Sequence, residues 1–313
     1  VYLTASTIYL YLPLLPDIAI LRDYSRKYSW FYRLLAIGWQ GTERQKRILH
    51  RAIAVMAVLV IPIAVSVHTV VSWVFGMTVQ PMWHSTIFGP YFVVGAIFSG
   101  IASIIIAMAL IRRIYFLHEY IKPIHFNHLG LLLLVMALLW FYFTFAEHIT
   151  TFYGAEPAHL TVFYSKLSGR FAPIFWTMLV TCFLIPFTLL ARARTRTVAG
   201  TVIASISINI GMWLERLTIV VPTLSRPRLP WPEGFYSPTW VEIGITLGFG
   251  ATFIFLYMLF TRFFPIVSIW EVQEGRERAL PEVVARVRSY MPGGLQPANV
   301  GETSHIGAPK PEN

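Results

Sequence analysis

Glu147, Glu215, Arg216 and His68 lie inside long stretches that otherwise carry no charge, and Asp17, Glu242 and His84 stand at the edges of such stretches. An ionisable group at bilayer depth is costly, so it pairs with another group or performs a task. Buried carboxylates and imidazoles accept protons from hydroxyl groups with a basicity tuned by burial. The set is therefore a candidate for proton transfer or for contact with a ligand, with a structural ion pair as the plainer alternative. If the uncharged stretches begin at residues 52, 129 and 198 and rise as helices, His68, Glu147 and Glu215 sit roughly 24, 27 and 26 Å from their inner ends. That places all three in the outer third of a hydrocarbon core about 30 Å thick. Glu242 and His84 also fall near the outer boundary.

Adjacent helical residues point about 100° apart, so Glu215 and Arg216 are expected to seek partners on other helices. Glu147 and Glu242 are nearest in depth to Arg216. His68 reads equally as a hydrogen-bonded bundle histidine and as a proton carrier or ligand, and His148, next to Glu147, is expected to point elsewhere and meet headgroups. Asp17 follows Pro13 and Pro16, which interrupt helical hydrogen bonding; it either pairs with Arg22 or takes part in proton uptake from the cytoplasm. Trp140, Phe141, Tyr142, Phe143 and Phe145 read as packing, or as an aromatic wall suited to a quinone ring. Gly95, Ser99, Gly100 and Ser103 form a small-residue face that suits close helix packing, as do Gly244, Gly248 and Gly250.

The elements that must hold these residues follow from composition. Of 313 residues, 56% are hydrophobic, 15% aromatic and only 13% charged, and the mean hydropathy is +0.61. Charge at about half the usual share excludes an ordinary water-soluble enzyme. The chain reads as all-α, a polytopic transmembrane helical bundle with about seven spans. Residues 1–20 are the end of one span and residues 21–51 a basic, amphipathic cytoplasmic connection. Residues 52–266 hold six spans, at roughly 52–76, 87–111, 129–152, 171–191, 198–221 and 239–261. Residues 267–313 form a soluble cytoplasmic tail, with a short helix over 280–290 and disorder beyond. Val1 opens within an apolar run without an initiator Met or a charged n-region, so the run is no signal peptide, and earlier spans are expected in the parent protein.

Lys and Arg concentrate in alternate connections: between Arg22 and Arg51, from Arg112 to Lys122, from Arg192 to Arg196, and beyond Arg262. The connection from Met77 to Ile87 has none. The basic set is cytoplasmic by the positive-inside rule. That arrangement accounts for the net charge of +10 without nucleic acid and suits contact with anionic membrane lipids. The 24–40 segment mixes Arg26, Lys27 and Arg33 with Trp30, Phe31, Leu34 and Trp39, as an interfacial helix does. Trp83, Trp231, Tyr236 and Trp240 suit an aromatic belt on the outer side. The lone Cys182 excludes an internal disulfide, a cysteine-ligated zinc and a cysteine-held iron–sulfur cluster within the chain.

Several strings, read together, resemble the NrfD/PsrC-like family of membrane anchor subunits, most closely the ActC type of alternative complex III. They are Leu12-Pro13-Leu14-Leu15-Pro16-Asp17-Ile18-Ala19 with Arg22-Asp23, Ser66-Val67-His68-Thr69-Val70-Val71-Ser72-Trp73, and Trp83-His84-Ser85-Thr86-Ile87-Phe88-Gly89-Pro90-Tyr91-Phe92. Gly95 to Gly100, Gly211-Met212-Trp213-Leu214-Glu215-Arg216 and Pro238-Thr239-Trp240-Val241-Glu242 complete the set. The resemblance implies a ten-span protein with two four-helix bundles, in which residues 1–20 are the fourth span. It implies a quinone, menaquinone or ubiquinone, as substrate, with no haem or iron–sulfur cluster bound by this chain. It also implies an iron–sulfur subunit on the outer face, a second NrfD-like membrane subunit, a multihaem c-type cytochrome subunit, and residence in the bacterial cytoplasmic membrane. The family pattern often has an acidic residue where Val74 stands, and this chain departs from it there.

The function expected is quinol oxidation near the outer face, with electrons passed to the external partner and with possible proton translocation. His68, Glu147 and Glu215 carry the base chemistry, and Arg216, Asp17, Glu242 and His84 complete the candidate set. Buried carboxylates and broken helices also suit an ion-coupled secondary transporter. A b-type cytochrome would need a histidine pair, for which His68 and His148 are available.

Overall fold

The computed structural model describes residues 1–24, 28–226, 236–265 and 267–275. Trp231, part of the expected interfacial segment (Arg26, Lys27), and the expected helix over 280–290 with its tail lie outside the described residues. The described chain is helical: α1 Tyr2–Tyr24, α2 Ser29–Leu35, α3 Glu43–Gly76, α4 Phe88–Ile114, α5 Pro123–Gly154, α6 Pro157–Leu167, α7 Ala172–Leu179, α8 Ile185–Leu190, α9 Val198–Leu224 and α10 Trp240–Phe263. A π-helical turn, Val180–Leu184, joins α7 and α8 into one continuous rod. Among the described residues, seven helices are long and apolar enough to cross a membrane. The chain is a multi-pass membrane protein. The apolar segments begin close to where hydropathy places them, but α3 and α5 start earlier, at Glu43 and Pro123, because their polar first turns continue the helix beyond the apolar stretch.

Two compact units emerge, one from Val1–Tyr2 and Val58–Ile243, the other from Leu3–Ala57 and the described residues from Gly244 on. In the first, α4, α5, the α7–α8 rod and α9 pack around Phe98, Phe126, Leu133, Trp140, Met178, Cys182, Leu190 and Ile208. Lipid tails are as apolar as these side chains, so close van der Waals packing and interhelical hydrogen bonds hold the helices together. Gly95 of α4 earns its place in the small-residue face: a Cβ there would meet Met212 Cε at 3.0 Å and Arg216 Nη2 at 3.3 Å. Gly100, Gly244, Gly248 and Gly250 face open space within 4 Å, so the packing expected of them is not seen.

The π turn has a local cause. Ile185 N–H bonds back to Val180 O, and the next donor in that register would be Pro186, which has no N–H. Thr181 O is thereby left without a main-chain donor, and Ser207 Oγ of α9 donates to it at 2.8 Å.

In the second unit, Ile18, Ala19, Tyr32, Ala36, Trp39 and Leu49 form a small core. Among the described residues of the 24–40 segment, Tyr24 ends α1 and Ser29–Leu35 form α2; Trp39 is buried in that core, whereas Trp30 and Leu34 remain exposed.

Candidate functional site

The connection from α3 to α4, expected on the outer side, is not a passive loop. Val79 and Met82 both adopt left-handed backbone, φ 56° and 67°, costly for a β-branched residue. Tertiary contacts hold them there. Trp83 is buried and its Nε1 donates to Ile219 O at 3.0 Å; Thr223 Oγ1 donates to Pro81 O at 3.4 Å. Trp83 is therefore a packing anchor, not a member of the interfacial belt, because this loop folds inward over α9. Trp240 is largely exposed, in keeping with a belt position.

Beneath this loop lies a polar pocket of about 30 Å³, lined by Trp83, Tyr91, Thr144, Glu147, His148, Lys166, Met178 and Thr218, among others. It has room for about two waters. Glu147 is buried, one oxygen hydrogen-bonded by Ser85 Oγ and the other, Oε1, buried without a partner. His148 does not meet headgroups: its ring lies against Phe163 and Phe175, centroids 6.0 and 5.0 Å away. Its Nδ1 is 2.7 Å from Thr144 O, one turn back on α5. A carbonyl only accepts, so Nδ1 carries the hydrogen and Nε2 presents a lone pair. That Nε2 is buried and has no hydrogen-bond partner.

His148, Thr144 and Phe175 also line a second, apolar cavity of about 380 Å³ with Phe141, Phe145, Phe152, Phe163 and Trp176. Phe141 stacks on Phe183 at 4.1 Å. Phe145, Phe152 and Trp176 are about half exposed, so this cavity opens on the outside of its unit. Phe141 and Phe145 thus do form an aromatic wall. The volume lies within the range of roughly 300–1,000 Å³ typical of small-molecule pockets. His148 and Thr144 are the polar groups shared between the apolar cavity and the smaller pocket.

Deeper in the same bundle sits Glu215. It has an interhelical partner of the kind expected of it: Trp140 Nε1 of α5 donates to Oε1 at 2.5 Å, while Oε2 is buried without a hydrogen-bond partner. Trp140 is thus more than packing. Tyr91 reaches the polar pocket, where Thr144 Oγ1 stands 3.5 Å from its oxygen. Tyr91 and Thr144 thus line one pocket with Glu147, and Glu215 is held by Trp140, one turn before Thr144 on α5.

Arg216 corrects a sequence expectation. It pairs with neither Glu147 nor Glu242; its Nε lies 3.8 Å from Glu215 Oε2, and its guanidinium sits 4.4 Å over the Phe92 ring. Side chains 100° apart at Cα still meet because arginine is long and Gly95 leaves room for it to bend back. Glu242 sits exposed in the first turn of α10, accepting from Tyr236 Oη at 2.8 Å and Thr239 N at 3.1 Å. It secures a helix start.

His68 stands apart from that pocket, its Nδ1 bonded to Ala64 O at 2.7 Å and its ring edge-on to Tyr2. It lines neither cavity, and the structure does not bring it to His148 as a haem pair would require. His84 is exposed on the outer loop beside Ser85, its ring 4.7 Å from that of His159. Asp17 is fully buried in the second unit and accepts from Ile269 N at 3.1 Å and Trp270 N at 3.0 Å, while Trp270 Nε1 donates to Pro13 O at 2.8 Å. Arg22 pairs with Asp23 at 2.8 Å instead of Asp17, since the buried carboxylate is already engaged by main-chain donors.

Lys166, His148, Tyr91 and Ser85 are members of the site that residue-type reasoning passed over. Lys166 carried a signal: it is a lone cation in the apolar run from Val162 to Leu167 of α6. It is buried, and that burial pushes its ammonium down to about 8, against the pull of Glu147 in the other direction. Unfolded lysine titrates near 10.5. Between those values the unfolded chain holds a proton that the folded chain lacks, so stability rises with pH across that window and is flat below it. A gain of about 3 kcal/mol is expected from about pH 8 to 10.5. Unfolding midpoints of the wild type should climb over this range while those of Lys166→Met do not; equal slopes would remove the buried charge from the account.

The family model described as Polysulphide reductase, NrfD, matches residues 1–227. No curated protein matches the chain. A match over more than half of the 313 residues, with seven membrane-length helices among the described residues, settles the family: this chain belongs to the NrfD family of membrane subunits.

Proposed function

We propose that the chain is the quinol-oxidising membrane subunit of an oxidoreductase of the alternative complex III kind. NrfD-family members are quinone-interacting membrane subunits that partner with iron–sulfur subunits and other membrane subunits. The finer assignment rests on the Pro13–Ala19, Trp83–Phe92 and Gly211–Arg216 strings.

The observation that carries the reading is His148 Nε2, a buried lone pair without a partner at the wall between an aromatic cavity and the pocket that holds Glu147. A quinol ring lies in the aromatic cavity with one hydroxyl toward Nε2. Oxidation removes two electrons and two protons from the quinol. The protons leave one at a time through His148 to the pocket waters and Glu147, whose Oε1 is also short of a donor. Ser85, bonded to Glu147, leads to the outer loop. The electrons pass to an iron–sulfur subunit docked on the outer face and on to c-type haems, with a second NrfD-like subunit beside this one in the membrane. Lys166 keeps Glu147 ready to carry negative charge between proton transfers. Asp17 serves the fold, its oxygens engaged by main-chain N–H groups.

Glu147→Gln keeps the shape and the Ser85 contact but removes the proton acceptor. Quinol oxidation by the assembled complex should fall about 10²-fold or more, with quinone affinity within a few fold of wild type. Unchanged oxidation together with unchanged proton release would exclude the pocket as the proton exit.

A further inference from the structure

The outer loop and α6 carry a cluster that quinol oxidation does not use. His84, Glu156 and His159 each offer one ligand atom, and these atoms all lie within 4.8 Å of one another. His159 Nε2 is 3.7 Å from Glu156 Oε2, and the two imidazole centroids are 4.7 Å apart at 61°. We propose that these three side chains form a binding site for a divalent transition-metal ion of the zinc class, which clamps the outer loop to α6.

The ligand types select the ion. Two imidazoles and one carboxylate match borderline metals, with the remaining position open to water, whereas calcium and magnesium prefer oxygen throughout. In a tetrahedral site with metal–ligand bonds near 2.0–2.1 Å, neighbouring ligand atoms are about 3.3 Å apart. The His159–Glu156 pair is close to that already, and the remaining approach, up to about 1.5 Å, is within reach of side-chain rotation, since His84 and Glu156 are exposed.

The backbone on both sides is held in place beforehand. His84 lies between Trp83, anchored to Ile219 O, and Ser85, bonded to Glu147. His84 Nδ1 faces Gln80 O at 3.3 Å, which puts the hydrogen on Nδ1 and turns the Nε2 lone pair toward a metal. Across from it, Glu156 and His159 are three residues apart at the start of α6, where Pro157 opens the helix and Leu160 N bonds Glu156 O at 2.9 Å. Spacing of three brings both side chains to one face.

The test uses the purified chain in detergent, stripped with a chelator and then equilibrated with ZnCl₂ or CoCl₂. One zinc per chain should be retained, and cobalt should give the visible absorption of a four-coordinate nitrogen/oxygen site. Zinc at about a hundred times its Kd should raise the unfolding midpoint by about 5–10 °C. His84→Ala and His159→Ala should each weaken binding at least 10-fold, while His118→Ala, a histidine outside the cluster, should leave it unchanged. Failure of the wild type to retain zinc overturns the proposal, as does equal retention by all three variants, which would mark adventitious binding to surface histidines. None of these readouts depends on quinol turnover.

Discussion

His148→Phe is expected to slow quinol oxidation by about 10²- to 10⁴-fold, the usual worth of a positioned general base. The ring packs between Phe163 and Phe175 and spans the boundary of two cavities, so phenylalanine preserves the shape of the wall while deleting the only nitrogen lone pair there. Packing and quinone affinity should therefore survive, and the loss should fall on kcat. His148→Gln keeps an acceptor oxygen of much lower basicity, so it should recover contact geometry but little rate. Steady-state oxidation by the complex, set against quinone binding to the same preparation, separates the two effects. A rate within threefold of wild type for the Phe variant would remove His148 from the chemistry.

Gly211→Ala is expected to destabilise the bundle by about 3 kcal/mol or more, at the upper end of overpacking costs. A Cβ at Gly211 would stand 2.4 Å from Cys182 Sγ, 2.5 Å from Thr181 Oγ1 and 3.0 Å from Cys182 N. The last of these is main chain in the π turn and cannot rotate away. The sulfur can be removed: Cys182→Ala in the same chain should restore part of the loss, and the double-mutant cycle should show strong coupling. Thermal unfolding in detergent measures both. Additive effects would mean that the two helices are not in contact at this point.

Hydropathy located the helices well because burial in lipid is an average over some twenty residues, and small errors at the ends do not alter it. The polar start of α3 at Glu43 shows the limit, since hydrophobicity stops at the membrane while helical hydrogen bonding does not. Within the site, the need of Glu215 for a partner on another helix was legible from cost alone, and Trp140 meets it at one oxygen. The identity of that partner was not legible, because a sequence gives depth but not rotation about the helix axis. His148 illustrates this: its position beside Glu147 suggested headgroups, yet the bundle turns it toward Phe175. Arg216 was misjudged for a different reason. The space that lets it meet Glu215 is made by the absent side chain of Gly95 on another helix. The burial of Lys166 depends likewise on how α6 closes over the pocket, which no local pattern encodes.

The contact between Asp17 and the backbone of Ile269 joins residues 252 apart in the chain. At ribosomal rates of about 5–20 residues per second, its donors emerge on the order of 10 to 50 s after the carboxylate itself. Through that interval a membrane-inserted acid waits while every later helix is threaded into the bilayer, and its final environment is made only by polypeptide that has not yet been synthesised. Maturation of this corner is thus a late event in biogenesis, since the main-chain donors to Asp17 come from residues 269 and 270.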